Sequence, residues 1–347
     1  TQQSALPHIT GLRVETRDDA LIIDAATRRN LELDTAHSGI RQHSLAGLLD
    51  HTVTAMGSRL LRRWINRPLR DLQEVSLRHA AIAEMLPADR HTRIQELLAG
   101  VGDLERILAR IALKSARPRD LATLRDSLAV LPGLLQVLDE FQSPLIQRLQ
   151  DETGEHPGLV ENLTRAIIDN PPMLIRDGGV LARGWDEELD QLRDLSQNAD
   201  QFLLDLEQRE KERSGIDSLK VSYNRVHGYY IEISRLHSEG APADYVRRQT
   251  LKSSERFITP ELKKFEDQVL SARERSLARE KALYDVLLDD LRQYIGSLQQ
   301  TAAAVASIDV LANLAERALS PVSYTHLTLP TNVQQCRARW SAGAGRG

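Results

Sequence analysis

Arg247, Arg248 and Lys252, with Ser253 and Ser254 beside them, stand together in the string YVRRQTLKSSERF. Guanidinium and ammonium groups neutralise phosphates, and hydroxyls donate to phosphate oxygens. Such a cluster could hold a duplex by its backbone without reading its bases. The same charges could instead pair with Glu255 and Asp244 and only keep an exposed segment in solution. The balance is local: residues 218–260 carry seven basic and four acidic side chains, whereas the whole chain has a net charge of -4. A nucleic-acid contact must therefore come from a patch and not from a global field.

Other chemistries find less support. The chain contains no G-x-x-x-x-G-K-[ST] phosphate loop and no G-x-G-x-x-G string. His51, His79 and His91 are too scattered for a helix-borne metal site, which needs ligands about four residues apart on one face. His227, beside Gly228 in a turn, suits a structural hydrogen bond better than a general base. Asp177-Gly178-Gly179 reads as a turn. Glu187/Glu188 and Asp289/Asp290 suit solvated helix faces with i,i+4 partners. The chain as it stands is expected to be no enzyme, with no catalytic, cofactor-binding or metal-ligating residues. Its single cysteine, Cys336, excludes an intrachain disulfide framework and fits a reducing cytoplasm. No apolar run nears the roughly 18–20 residues of a membrane span, and no signal-peptide pattern opens the chain.

The scaffold that positions the basic cluster is helical. Aromatic residues make up only 4% of the chain against 41% hydrophobic residues, which favours long Leu/Ala/Glu/Arg helices over a β-rich core. Helices are predicted after Ser44, through Leu60–Ile65 up to Pro68, and over Asp71–Leu86, Thr92–Leu98, Asp103–Leu113 and Pro118–Leu131, where Pro132-Gly133 punctuates. Leu192, Leu195, Ala199, Phe202 and Leu206 form a 3-4-3-4 seam between Trp185 and Arg213. A second seam runs through Leu262, Phe265, Val269 and Ala272, and after a register shift through Leu283, Leu287, Leu291, Tyr294 and Leu298. Two helices of this length flanking one excursion are expected to be antiparallel. Within the excursion, residues 218–260, Leu219/Val221/Tyr223 and Tyr229/Ile231/Ile233 alternate around a Gly-containing turn, a hairpin signature. Further strands fit Tyr245–Leu251 and Arg256–Thr259. The fold class is therefore mainly α: a helical core, two long antiparallel lever helices and a small inserted β-rich module.

Several long strings identify a family. DAATRRNLEL (Asp24–Leu33), LDHTVTAMGSRLLRRWINRPLRD (Leu49–Asp71), GDLERILARIALKSARPRDL (Gly102–Leu121) and DNPPMLIRDGG (Asp169–Gly179) resemble the core of the MutS family of DNA mismatch-repair proteins. So do LKVSYNRVHGYYIEIS (Leu219–Ser234) and RRQTLKSSERFITPELKKFED (Arg247–Asp267). The resemblance covers residues 1–320 in order. It implies the end of a connector over 1–19, a core and lever over 20–217, a DNA clamp over 218–260, and a returning lever and core over 261–321. It also implies non-specific contacts to the duplex backbone from Arg247, Arg248, Lys252 and Ser253, with Lys220, Asn224 and Arg225 as further candidates. The partners implied are mismatch-containing double-stranded DNA, a second copy in a homodimer and other mismatch-repair proteins, in the bacterial cytoplasm. The family's mismatch-reading domain and its ATPase head, which takes ATP and Mg, have no counterpart in this sequence. Beyond Pro321 the composition changes abruptly, and Val322–Thr331 reads as translated sequencing-adapter sequence; residues 322–347 are expected to be non-native, the alternative being a genuine disordered tail. The competing class is a helical scaffold whose β-tip binds another protein.

Overall fold

The computed structural model describes residues 20–224 and 228–320, leaving out the side chains of residues 196–201 and 239. The expectations for residues 1–19, Arg225, His227, the Ala199 side chain, and the tail with Cys336 lie outside the described residues. Those described form twelve α-helices and one four-stranded antiparallel sheet, the mainly α class with a small β module that the sequence predicts. The helices are α1 (Ala25–Asn30), α2 (Leu45–Leu49), α3 (Ala55–Asn66), α4 (Leu72–Met85), α5 (Arg90–Leu98), α6 (Leu104–Ala112), α7 (Pro118–Leu138), α8 (Pro144–Thr153), α9 (Pro157–Ala166), α10 (Glu187–Ser214), α11 (Pro260–Arg292) and α12 (Ile295–Leu319). They fall into two compact units, one combining residues up to Thr164 with those from Leu288 onward, the other Arg165–Leu287.

In the first unit α12 is the central helix, packed by α3, α4, α5, α6 and α8. Its Leu298, Val305, Ile308, Val310 and Leu311 are buried on all sides, and Ala302, Ala304, Ala306 and Ala312 let neighbours approach closely. Three buried polar residues, Thr301, Asp309 and Asn313, interrupt this surface, the last two one turn apart. Asp309 accepts from Val53 N (3.1 Å), Thr54 N (2.8 Å) and Thr54 Oγ1 (2.6 Å). Asn313 accepts from His51 N at 2.9 Å and donates to Leu49 O at 3.0 Å. The loop before α3 is thus satisfied by the central helix. Gly57 is required there, because a Cβ would sit 2.2 Å from Asp309 Oδ2.

Two boundaries differ from the sequence reading. Pro132 does not end α7, which runs on to Leu138. Proline costs a helix one hydrogen bond, but Leu131, Leu134, Val137 and Leu138 are buried and hold the helix through it. Contrary to the sequence reading, this helix is long and apolar enough, by length and composition, to cross a membrane, although about half of it is buried within the fold. The second seam is not one continuous helix. Its register shift is a turn at Gln293-Tyr294 separating α11 from α12, with Tyr294 40% exposed.

In the second unit α10 has 28 residues and α11 has 33, about 42 and 50 Å long. Asp186 caps α10 by accepting from Leu189 N at 2.9 Å, and Gly215 ends it in the left-handed region, at φ 68°. Contacts between the two helices run in opposite order along each: Arg209 to Glu261, Phe202 to Phe265, Arg193 to Glu280. That order makes them antiparallel, as expected. Leu192, Leu206, Leu262, Val269 and Ala272 are buried, but Leu195, read as part of the seam, is 61% exposed.

Candidate nucleic-acid interface

Four strands, β1 (Lys220–Asn224), β2 (Gly228–Ser234), β3 (Val246–Thr250) and β4 (Ser254–Ile258), make a sheet in the order β1-β2-β4-β3. Alternation decides what each face carries. Tyr229, Ile231, Ile233 and Phe257 share one face and pack in a cluster with Leu206 of α10 and Leu262 of α11. The other face carries Tyr230, Glu232, Ser254 and Arg256. Here Arg256 Nε lies 3.1 Å from Glu232 Oε2, its Nη1 donates to Gln249 Oε1 at 3.1 Å, and its guanidinium lies 4.2 Å from the Tyr230 ring centroid. Ser254 Oγ completes the row by donating to Glu232 at 3.1 Å.

The candidate contact residues separate into distinct settings. Arg247 is on edge strand β3, on the Phe257 face, and its Nε forms an ion pair with Glu255 Oε2 at 3.0 Å. Pairing with Glu255, one of the two sequence alternatives, thus holds for Arg247. Asp244 pairs with Arg213 at 3.0 Å instead. Arg248 is the extra residue where the β3–β4 register shifts between Arg247 and Gln249, and it is exposed. A bulge of this kind re-aims a side chain away from the regular alternation. Lys252 and Ser253 form the exposed two-residue turn of the β3–β4 hairpin, closed by Leu251 N donating to Ser254 O at 2.8 Å. Ser254, read as a second hydroxyl donor, is buried with its hydroxyl on Glu232.

Lys220 opens β1 at the same end of the sheet, exposed and opposite Glu232. Asn224 closes β1 at the other end, opposite Gly228. The Gly228 and Ser234 rows are six residues apart along β2, about 20 Å. The basic end of the sheet is therefore built from Lys220, Lys252 and Ser253, and Asn224 belongs to a separate spot; Arg225 lies outside the described residues. Gly228 is at φ 73°, and a Cβ there would meet Glu266 Oε1 of α11 at 1.9 Å. Only glycine suits both the backbone and the space.

Three sets of contacts fix this module to the long helices. Phe202 stacks on Phe265 at 3.9 Å between centroids, Phe265 meets Tyr229 at 5.9 Å, and Tyr229 meets Tyr223 at 4.8 Å. Glu207 of α10 accepts from Val221 N at 2.9 Å; burial works against its ionisation, but Lys211 and that N–H hold its carboxyl below the ordinary range. Glu210, 5% exposed, accepts from Tyr245 Oη at 2.7 Å, and burial followed by this carboxylate pushes the Tyr245 phenol up.

Further along α11, Glu280 is 1% exposed on its side chain and accepts from Gly179 N (3.0 Å), Val180 N (2.6 Å), Leu181 N (2.9 Å) and Arg193 Nη2 (2.7 Å). Gly178 and Gly179, at φ 73° and 71°, curl the backbone into a nest of N–H donors around a carboxylate. The turn read at Asp177-Gly179 exists, but its role comes from a residue a hundred positions away. Glu187 takes the expected i,i+4 partner, accepting from Gln191 Nε2 at 3.3 Å, and Asp289 pairs with Arg292 one turn on at 3.1 Å. Glu188 and Asp289 also take partners from other elements, Arg279 at 3.4 Å and Lys114 at 2.7 Å.

The order of elements, a helical core with a hairpin sheet inserted between two antiparallel long helices, has a counterpart among known proteins. MutS domain III matches residues 26–315, a stretch that takes in most of the central helix α12, both long helices and the whole sheet. The chain belongs to the MutS domain III family, that of the DNA mismatch-repair proteins.

Proposed function

We propose that this chain is the core, lever and clamp segment of a cytoplasmic DNA mismatch-recognition protein. The β-module grips the duplex backbone without reading sequence, and α10 and α11 act as stiff rods that relay conformational change to an ATPase head. The observation that carries this reading is the exposed hairpin turn at Lys252-Ser253, at the same end of the sheet as Lys220 and on the same hairpin as the bulged Arg248, with the sheet braced from α10 and α11. The acidic partners that neutralise Arg247 and Arg256 are within the sheet, whereas among the described residues neither Lys220 nor Lys252 forms an ion pair, Glu207 acting on Lys220 only at longer range. Phosphates supply that countercharge. ATP and Mg belong to the parent protein's head. The residues of this chain do not fit them, having no phosphate loop. The working parent is a homodimer that recruits other mismatch-repair proteins.

A scaffold whose β-tip binds another protein has one observation in its favour: Leu236, 91% exposed, and Val246, 60% exposed, lie on the same module. Duplex binding by the Lys220→Ala/Arg248→Ala/Lys252→Ala variant separates the two. Each lost phosphate contact lowers the steepness of log K against log salt by about one unit, so the triple variant loses about three. Equal affinity and slope in variant and wild type would remove the assignment of these residues.

A further inference from the structure

We propose that the cavity between α3, α4, α8 and α12 binds a small oxyanion, a carboxylate or phosphate group held by the guanidinium of Arg78. This cavity is within the first unit, about 880 Å³ in volume, inside the range of roughly 300–1,000 Å³ usual for small-molecule sites. Trp64 forms part of its wall, and the Arg78 guanidinium carbon lies over that ring, 3.5 Å from its centroid. Stacking fixes the guanidinium plane but uses none of its five N–H donors. A stacked arginine is therefore pre-organised for two parallel bonds to an oxyanion.

The neighbouring acids are otherwise engaged. Glu74 accepts from Arg148 at 3.1 Å, and Asp71 caps α4 through Gln73 N at 2.8 Å. Among the described residues none forms a hydrogen bond or ion pair with Arg78. Burial lowers its proton affinity, Glu74 opposes that, and Arg148 adds to it. The lining's three arginines, Arg70, Arg78 and Arg148, match its three acids, Asp71, Glu74 and Glu152, in number, but of the three arginines only Arg78 has no hydrogen-bonded or ion-paired partner among the described residues, and a bound oxyanion fills its fork. Glu152 lines the same cavity and restricts the ligand. Its carboxylate repels a second negative group and accepts from a hydroxyl. A hydrogen phosphate or a hydroxycarboxylate meets both demands, with the oxyanion on Arg78 and the O–H toward Glu152.

The test is a fluorescence titration of the full chain with inorganic phosphate and, separately, with lactate, at constant ionic strength set by chloride. Trp64→Phe identifies which part of the signal arises from Trp64. The expected result is a saturable Trp64 response to at least one of the two probes. Arg78→Gln weakens it at least ~10-fold, and Arg78→Lys, which keeps the charge but loses the fork, weakens it by several-fold. Saturation by phosphate alone assigns a phosphate ligand, and saturation by lactate alone a carboxylate. If Arg78→Gln melts early, Arg78→Lys carries the comparison. No saturation by either probe below about 20 mM, or undiminished binding in a folded Arg78 variant, overturns the proposal.

Discussion

Replacing Glu280 by alanine destabilises the unit formed by residues 165–287 by about 3–5 kcal/mol. The wild-type carboxylate serves three backbone N–H groups and the Arg193 guanidinium, from a position 1% exposed. Truncation leaves the three N–H groups without an acceptor and leaves the Arg193 guanidinium, 13% exposed, with only the longer pairing to Asp190 at 3.6 Å. Uncompensated buried charge is among the few routes to losses of this size. Glu280→Gln keeps one oxygen for Val180, Leu181 and Arg193 but turns an amide N–H₂ toward Gly179 N, so its cost is smaller, about 1–3 kcal/mol. Urea unfolding followed in the wild type and both variants ranks them, through the midpoint at unchanged slope. An alanine variant as stable as wild type would mean that water substitutes for the carboxylate in the nest.

Asp309→Ala is expected to cost about 3 kcal/mol, because Val53 N, Thr54 N and Thr54 Oγ1 all lose their acceptor in a buried site. The same residue sets a pH dependence. Burial raises the Asp309 carboxyl above the ordinary aspartate range, although the Thr54 hydroxyl and the Val53 and Thr54 N–H groups pull it down, and Asp50 adds a smaller upward push. A carboxyl whose folded pKa exceeds its unfolded value, about 3.9, holds its proton longer in the folded chain. Its contribution to stability therefore falls as pH rises from the unfolded value through the folded one, and stays at its lower level above that. Asp309→Asn removes that fall. The check is the difference in unfolding free energy between wild type and Asp309→Asn across the acid range, which should slope with pH in this direction and no other.

How far these features were legible in the sequence depends on the range of the interaction. The hairpin at 219–233 was legible because apolar alternation and a turn glycine are local properties, and the register Val221–Ile231 and Tyr223–Tyr229 follows from them. The antiparallel levers were legible because a 3-4 seam needs a partner, and Phe202 and Phe265 are the seam residues that stack. Pro132 misled, since a local rule was overridden by burial of Leu134 and Leu138. The Glu280 nest and the Asp309 cap were not legible at all. In each, a carboxylate meets backbone donors on a distant loop, and backbone N–H groups leave no mark in a sequence. The cation cluster was legible as composition only. Which of Arg247, Arg248 and Lys252 has its countercharge inside the sheet depends on the bulge and the turn, and these need the register.

The measurement that bears most directly on the central claim is the salt dependence of binding by the purified chain to a matched duplex and to one with a single mismatch. A clamp that makes three to five phosphate contacts gives a slope of about -2.7 to -4.5 in log K against log salt, from about -0.9 per contact. The account predicts that slope, with equal affinity for the two duplexes, because phosphate contacts carry no sequence information. Binding that is flat in salt, or absent at low salt, would contradict it.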